Sequence, residues 1–254
     1  MFKFLRFSYL LFLFALILTS CSDDDSSTNT NPPSQTYFPT SVGSFWKYLE
    51  FEIDSLGNKV LESEDTVLTT IIGNQVINGK NATVFVNSRS KEDSPDTSYL
   101  AYENEKVYAL LSAFDNDFIP IGESNQWVVI SDFNINQWTI LKDTTLQQVD
   151  LPGIGKMTPT VGANGRKGSK EERVVKGKAV QSQEFIITFS LNIKLEVPNV
   201  PLPVYLKFDV VQHIWYGMGI GIIKRRLDPF KFNVLVFEQN FSGNESNLID
   251  YNIK

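Results

Sequence analysis

Every odd position between residues 185 and 197 is apolar. Phe185, Ile187, Phe189, Leu191, Ile193, Leu195 and Val197 hold successive odd positions, with Thr188, Ser190, Asn192, Lys194 and Glu196 between them. A period of two turns one face to a core and the other to water. After Pro198, Pro201 and Pro203 the frame resumes on even positions, at Val204, Leu206, Phe208, Val210, Ile214 and Tyr216, interrupted by Gln212. At roughly 3.3 Å per residue each arm reaches about 43 Å. Strands of that length accumulate right-handed twist, so the pair predicts the wall of a curved sheet or barrel. No stretch holds a sustained 3.6-residue period. The expected fold class is all-β, a strongly curved antiparallel sheet (half-barrel or barrel-like) with long C-terminal hairpins and little helix.

Shorter alternating segments precede this wall. Strands are predicted at 45–53, 67–72, 83–87, 98–102 and 106–111, and turn signals separate them. The strongest of these is Asn78-Gly79, since both residue types accept the positive φ of a tight hairpin. Residues 91–97 are polar and read as an exposed loop. Shorter strands follow at 126–130, 137–141 and 144–149. Residues 152–168 are rich in Gly, Pro, Asn and Lys, which predicts an irregular loop. Gly217, Gly219 and Gly221 allow a turn, 220–226 returns, and 230–241 adds one further strand.

The N-terminus follows a different pattern. Lys3 and Arg6 precede an apolar run, 7–18, about half the roughly 20 residues a membrane-spanning helix needs. Thr19, Ser20 and the chain's sole cysteine, Cys21, follow it. This order resembles a bacterial signal peptide with a lipobox. The resemblance implies cleavage before Cys21, lipid on its sulfur and new amino group, and the bilayer as a partner. Ser22, Asp23, Asp24 and Asp25 resemble the export signal of surface-displayed lipoproteins in Bacteroidota, which implies an outer-membrane anchor facing the cell exterior. A solvated spacer is the alternative for this acidic run. Through residue 36 the chain is too poor in apolar groups to offset the cost of ordering it. The expected organisation is a signal peptide at 1–20, a lipidated flexible tether at 21–36 and a single β domain at 37–254.

Loss of Lys3 and Arg6 with the signal peptide takes the formal net charge from −6 to −8. A nucleic-acid partner, which would call for a basic chain, is not expected. With Cys21 acylated, no disulfide can form within the chain, and a domain of this length buries enough surface to need none. The 19 Phe, 9 Tyr and 4 Trp suit strands.

Three patches carry a further resemblance: Tyr37-Phe38-Pro39 with Val42-Gly43, Trp46 and Tyr48; Ile77-Asn78-Gly79-Lys80; and Tyr216 with Gly219-Ile220-Gly221-Ile222-Ile223-Lys224. They look like the opening and closing signatures of a group of Bacteroidota surface lipoproteins. The resemblance implies a curved sheet related to the half-barrels of lipoprotein carriers. It brings no catalytic residues, and residues 112–180 show little correspondence to it.

Candidate chemistry is sparse. His213 is the only histidine, so any Ser-His-Asp relay must use it, and it falls on the polar face with Lys207, Asp209, Val211 and Trp215. One histidine and no free thiol make a zinc site improbable, and the acidic run offers no fixed cage for calcium. Gly217–Gly221 lacks the spacing of a dinucleotide fingerprint. No catalytic residue, metal site or cofactor is assigned. Trp215 is a candidate for an open groove or partner surface, whereas Trp46 is expected in the core.

Three classes of function remain open: a non-catalytic binding lipoprotein, a structural envelope component, and a carboxylate-dependent hydrolase acting on envelope or extracellular polysaccharide. Asp209 is the least surface-like acid available for the third. For the first, the partner would be an apolar or amphiphilic ligand, a glycan or an envelope protein. The apolar face predicts a cavity lined by some of Phe185, Ile187, Phe189, Leu206, Phe208 and Val210. Arg166, Lys167 and Lys170, within the only clearly basic stretch, would form a lip for an anionic head.

Overall fold

Among the described residues, fifteen strands follow one another. They are β1 (Phe45–Ile53), β2 (Asp65–Ile77), β3 (Lys80–Arg89), β4 (Asp96–Glu103), β5 (Lys106–Leu110), β6 (Trp127–Asp132), β7 (Gln137–Thr145) and β8 (Val149–Leu151). There follow β9 (Gly155–Val175), β10 (Lys178–Glu196), β11 (Val204–Gly217), β12 (Gly221–Leu227), β13 (Phe230–Val234), β14 (Phe237–Phe241) and β15 (Gly243–Asn252). The computed structural model describes residues 36–111, 126–151, 155–198, 200–234 and 237–254, which belong to one compact unit, Thr36–Lys254. Cys21, Ser22, Asp23, Asp24, Asp25 and the expected signal peptide and tether up to residue 35 lie outside the described residues.

Thirteen of these strands form one antiparallel sheet, twelve of them on a path nearly closed into a barrel. Its order is β6-β5-β4-β3-β2-β1-β15-β12-β11-β10-β9-β7, with β8 paired to β9 off this path. No helix occurs among the described residues. The long pair is registered from Ser182↔Gly217 to Leu195↔Val204, which sets Phe185 opposite Ile214 and Phe189 opposite Val210 on one face. That face is the interior. Gln212, the interruption in the even frame, stands opposite Ile187 and is half-buried.

The two ends of the sheet path, β6 and β7, are consecutive in the chain and joined by residues 133–136. No ladder pairs them; a side chain bridges the seam instead, as the Trp138 indole donates to the Val129 carbonyl at 2.8 Å. Phe133 in the connecting turn packs edge-on against Phe185 and Tyr216 and stacks on Tyr37 at 4.8 Å. Ser131 donates to the Tyr216 hydroxyl at 3.0 Å, tying β6 to β11 across the interior. At the other side, Trp46 and Tyr48 of β1 donate to the Ile220 and Ile222 carbonyls, at 2.6 and 2.8 Å. β12 meets β15 only from Lys224 to Leu227, so Ile222 takes its donor from a side chain where that ladder has ended.

Two expectations are corrected. The stretch 152–168, predicted as a loop, lies from Gly155 onward in β9, the longest strand at 21 residues. Its inward positions carry Pro159, Val161, Ala163 and Gly165, too small and irregular to register as an apolar frame. Residues 230–241 are not one strand but the hairpin β13–β14. Phe230 of that hairpin stacks on Phe208 at 6.1 Å and on Phe241 at 4.7 Å.

Candidate functional site

Side chains of the long pair meet on the inward face. Phe185 and Ile187 have no exposed surface, and Phe189 and Val210 are buried with them; Leu206 and Phe208 are half-buried against the same core. A cavity of about 30 Å³ lies between Phe38, Trp46, Tyr48, Phe85, Ile222 and Arg225. That is roughly the share of one water molecule in the liquid.

The outward face over β7, β9, β10, β11 and β12 has more to offer. At its β7 side a groove of about 410 Å³ is lined by Gln137, Thr139, Asn164, Arg166 and Thr188, with Trp138 and Gly165 also contributing. Its volume falls in the range of small-molecule sites, roughly 300–1,000 Å³. Cross-strand register builds it: Thr139 and Thr188 flank Asn164, while Gln137 stands opposite Arg166. A register shift between Thr139 and Leu141 bends β7 at this point. Gly165 lies beneath the Trp138 indole, which a Cβ there would strike, so the seam bond requires glycine at this position. Among the described residues, the side chains of Gln137, Thr139, Asn164, Arg166 and Thr188 have no hydrogen-bond or ion-pair partner.

Beside the groove, on β10–β12, lies a charged network centred on His213. Its Nδ1 meets Glu184 Oε1 at 2.8 Å and its Nε2 meets Asp228 Oδ2 at 3.2 Å. Glu184 also accepts from the Ser169 backbone at 3.1 Å, and Asp228 accepts from Arg226 at 2.8 Å. With both ring nitrogens faced by carboxylates, the imidazole has none left to take a proton from a nucleophile, so it is not the base of a serine relay. The imidazole also fills the gap between Glu184 and Asp228 where a glycosidic bond would have to sit. Asp209 is exposed and accepts from Ser190 at 2.7 Å.

His213 stacks on Trp215 at 5.5 Å, with 13° between the ring planes. Trp215 points outward yet is only 6% exposed, because the Arg173 guanidinium lies 4.6 Å from its ring centre and the Lys224 ammonium 5.4 Å. Each such contact is worth about 0.5–1 kcal/mol at a partly exposed site. Lys224 is fixed by Glu245 at 2.7 Å. Burial opposes ionisation of Glu245, but hydrogen bonds from Lys224 and Asn247 and the charges of Lys224 and Arg226 hold its carboxyl below the usual range. Arg173 is paired with Glu171, two residues away on the same strand, and both side chains are partly exposed. Pairs of this kind contribute about 0–1 kcal/mol. The Trp215 indole nitrogen is buried without an acceptor, a deficit of about 1–3 kcal/mol.

The residues predicted as a lip are separated. Arg166 lines the outer groove. Lys167 braces the seam, donating from its backbone to the Asn136 carbonyl at 2.9 Å and from Nζ to Phe133 at 2.6 Å. Lys170 is exposed on β9. Sequence reasoning missed Gln137, Thr139, Asn164 and Thr188 as a group. The misassigned loop left Asn164 without a face, although its alternation with Ala163 and Gly165 held the signal.

No protein-family model and no curated protein matches this chain. Two solved structures are similar to it. One is a presumed lipoprotein of Parabacteroides distasonis ATCC 8503, 7% identical over 86% of this chain and 99% of its own, with a TM-score of 0.45. The other is a presumed exported protein with a YmcC-like fold from Bacteroides fragilis NCTC 9343, 8% identical over 86% and 99%, with a TM-score of 0.38.

Proposed function

We propose that this chain is an envelope lipoprotein, held to the outer membrane by acylated Cys21 and facing the exterior, that binds a glycan without cleaving it. The outer groove carries this proposal. Its amides and hydroxyls each offer both donors and acceptors, the pattern that suits a ligand covered in hydroxyl groups. A polar lining of this kind does not suit an apolar ligand. The capped His213 counts against hydrolysis. Lys3 and Arg6, the apolar run and the small pair before Cys21 support the anchor, since two acyl chains suffice for stable attachment.

The test is affinity electrophoresis of the non-acylated chain, residues 22–254, in native gels containing polygalacturonate, xylan, laminarin or mannan. Retardation is expected in at least one gel, with no new reducing ends. Asn164→Ala combined with Thr188→Val should remove most of it while the melting temperature stays within a few degrees. Unretarded migration in all four gels, full retardation of the double variant, or release of reducing ends would contradict the proposal.

A further inference from the structure

All four tryptophans lie among the described residues, and three of them donate from the indole to a backbone carbonyl: Trp46 to Ile220, Trp127 to Ile77 and Trp138 to Val129. Trp215 alone has no acceptor. It is also the one whose ring is roofed by cations, Arg173 and Lys224. The two roofing groups differ in how firmly they are held. Lys224 and its partner Glu245 are both largely buried, 16% and 13% exposed, whereas Arg173 and Glu171 are 28% and 38% exposed. Arg173 is therefore the part that can move.

Position ties this cluster to the groove. His213, stacked on Trp215, stands opposite Ile186, and Ile186 stands opposite Arg166 at the groove's edge. One polymeric ligand lying across β9, β10 and β11 would meet the groove first and Trp215 next. The neighbouring acids Glu171, Glu184, Asp228 and Glu245 are turned to other partners, and none accepts from the Trp215 indole.

We infer that Arg173 is a displaceable cover over Trp215 and that the two form a subsite for an acidic sugar residue. This rests on the glycan proposal above and names the ligand class. When Arg173 swings off the ring, the indole face takes the C–H face of a pyranose. The guanidinium fork then takes the sugar carboxylate, a match to its planar donors that a neutral sugar lacks. An oxygen of the sugar supplies the acceptor that the indole N–H lacks in the covered state.

The experiment titrates the non-acylated chain with a galacturonate hexamer, a neutral mannose hexamer and hexaglutamate, following tryptophan emission and its quenching by acrylamide. The wild type should bind the galacturonate hexamer roughly tenfold more tightly than the mannose hexamer, as expected for one added charge-assisted contact. Arg173→Ala should make emission more quenchable before any ligand is added and should bring the two hexamers to equal affinity. Trp215→Phe should abolish that gain in quenching when combined with Arg173→Ala. Equal binding of both hexamers by the wild type would overturn the acidic subsite and leave the glycan proposal standing. Binding of neither would overturn the acidic subsite, and the glycan proposal with it if migration is also unretarded in all four polysaccharide gels; hexaglutamate bound as tightly as galacturonate would overturn the sugar assignment. Unchanged quenching in Arg173→Ala would overturn the cover.

Discussion

Tyr216 receives the Ser131 hydroxyl from β6 and packs against Phe133 and Phe185, so one side chain joins three parts of the interior. Burial pushes its hydroxyl up from 10.0 to about 12, outweighing the Ser131 hydrogen bond and the charge of Arg225. Burial raises Tyr48 likewise, as it donates to Ile222. A folded value above the unfolded one means stability is whole below pH 10 and is lost as pH rises towards 12. For Tyr216 the loss is roughly 2–3 kcal/mol, at about 1.4 kcal/mol per pH unit. Urea midpoints taken between pH 9 and 12 should fall steadily, and Tyr216→Phe should flatten the slope while Tyr48 keeps part of it. A variant with the wild-type slope would contradict this account of the core. Residues such as Trp46 and Tyr48 are legible in sequence as core aromatics, but their carbonyl partners 174 positions away are not.

At the scale of elements, β10 and β11 are the most legible, because large apolar residues mark the inward positions from Phe185 to Leu195 and, Gln212 apart, from Val204 to Tyr216. β9 pairs with β10 from Lys178↔Val175 to Glu196↔Lys156 and is no less a strand, yet its composition argues for a loop. Three of its four glycines lie where other side chains pass over the backbone: Asp143 over Gly162, Trp138 over Gly165 and Glu184 over Gly168. Local propensity cannot report such contacts, since each depends on a residue from another strand. The β9–β10 turn was equally hidden, for Lys176 and Gly177 both take positive φ, 51° and 73°. Gly165→Val should destabilise the chain by about 1–3 kcal/mol through overpacking against Trp138, and should speed amide exchange in β6 and β7. Gly73, with open space where its Cβ would be, is the control, and Gly73→Ala should shift stability by no more than about 0.5 kcal/mol. Equal effects at the two positions, read from urea melts, would contradict the seam.

For the whole molecule, curvature follows from strand length and twist, whereas closure does not. It depends on an indole of β7 reaching a carbonyl of β6, and on Phe133 plugging the seam from within. The outward site was illegible for a related reason. Its polar residues look like any solvated face until the register sets Thr139, Asn164 and Thr188 in one row and puts Gln137 opposite Arg166. Chain entry is placed at Thr36, whose carbonyl accepts from Gly219 at 2.9 Å. The central claim is that the outer face, not the interior, is the working surface. Amide chemical-shift mapping of the non-acylated chain, titrated with the saccharide that retards it most, tests this directly. The account predicts shifts concentrated at Thr139, Asn164, Arg166 and Thr188, extending to His213 and Trp215. Shifts centred instead on Phe185, Phe189 and Val210, with the outer rows unmoved, would contradict it.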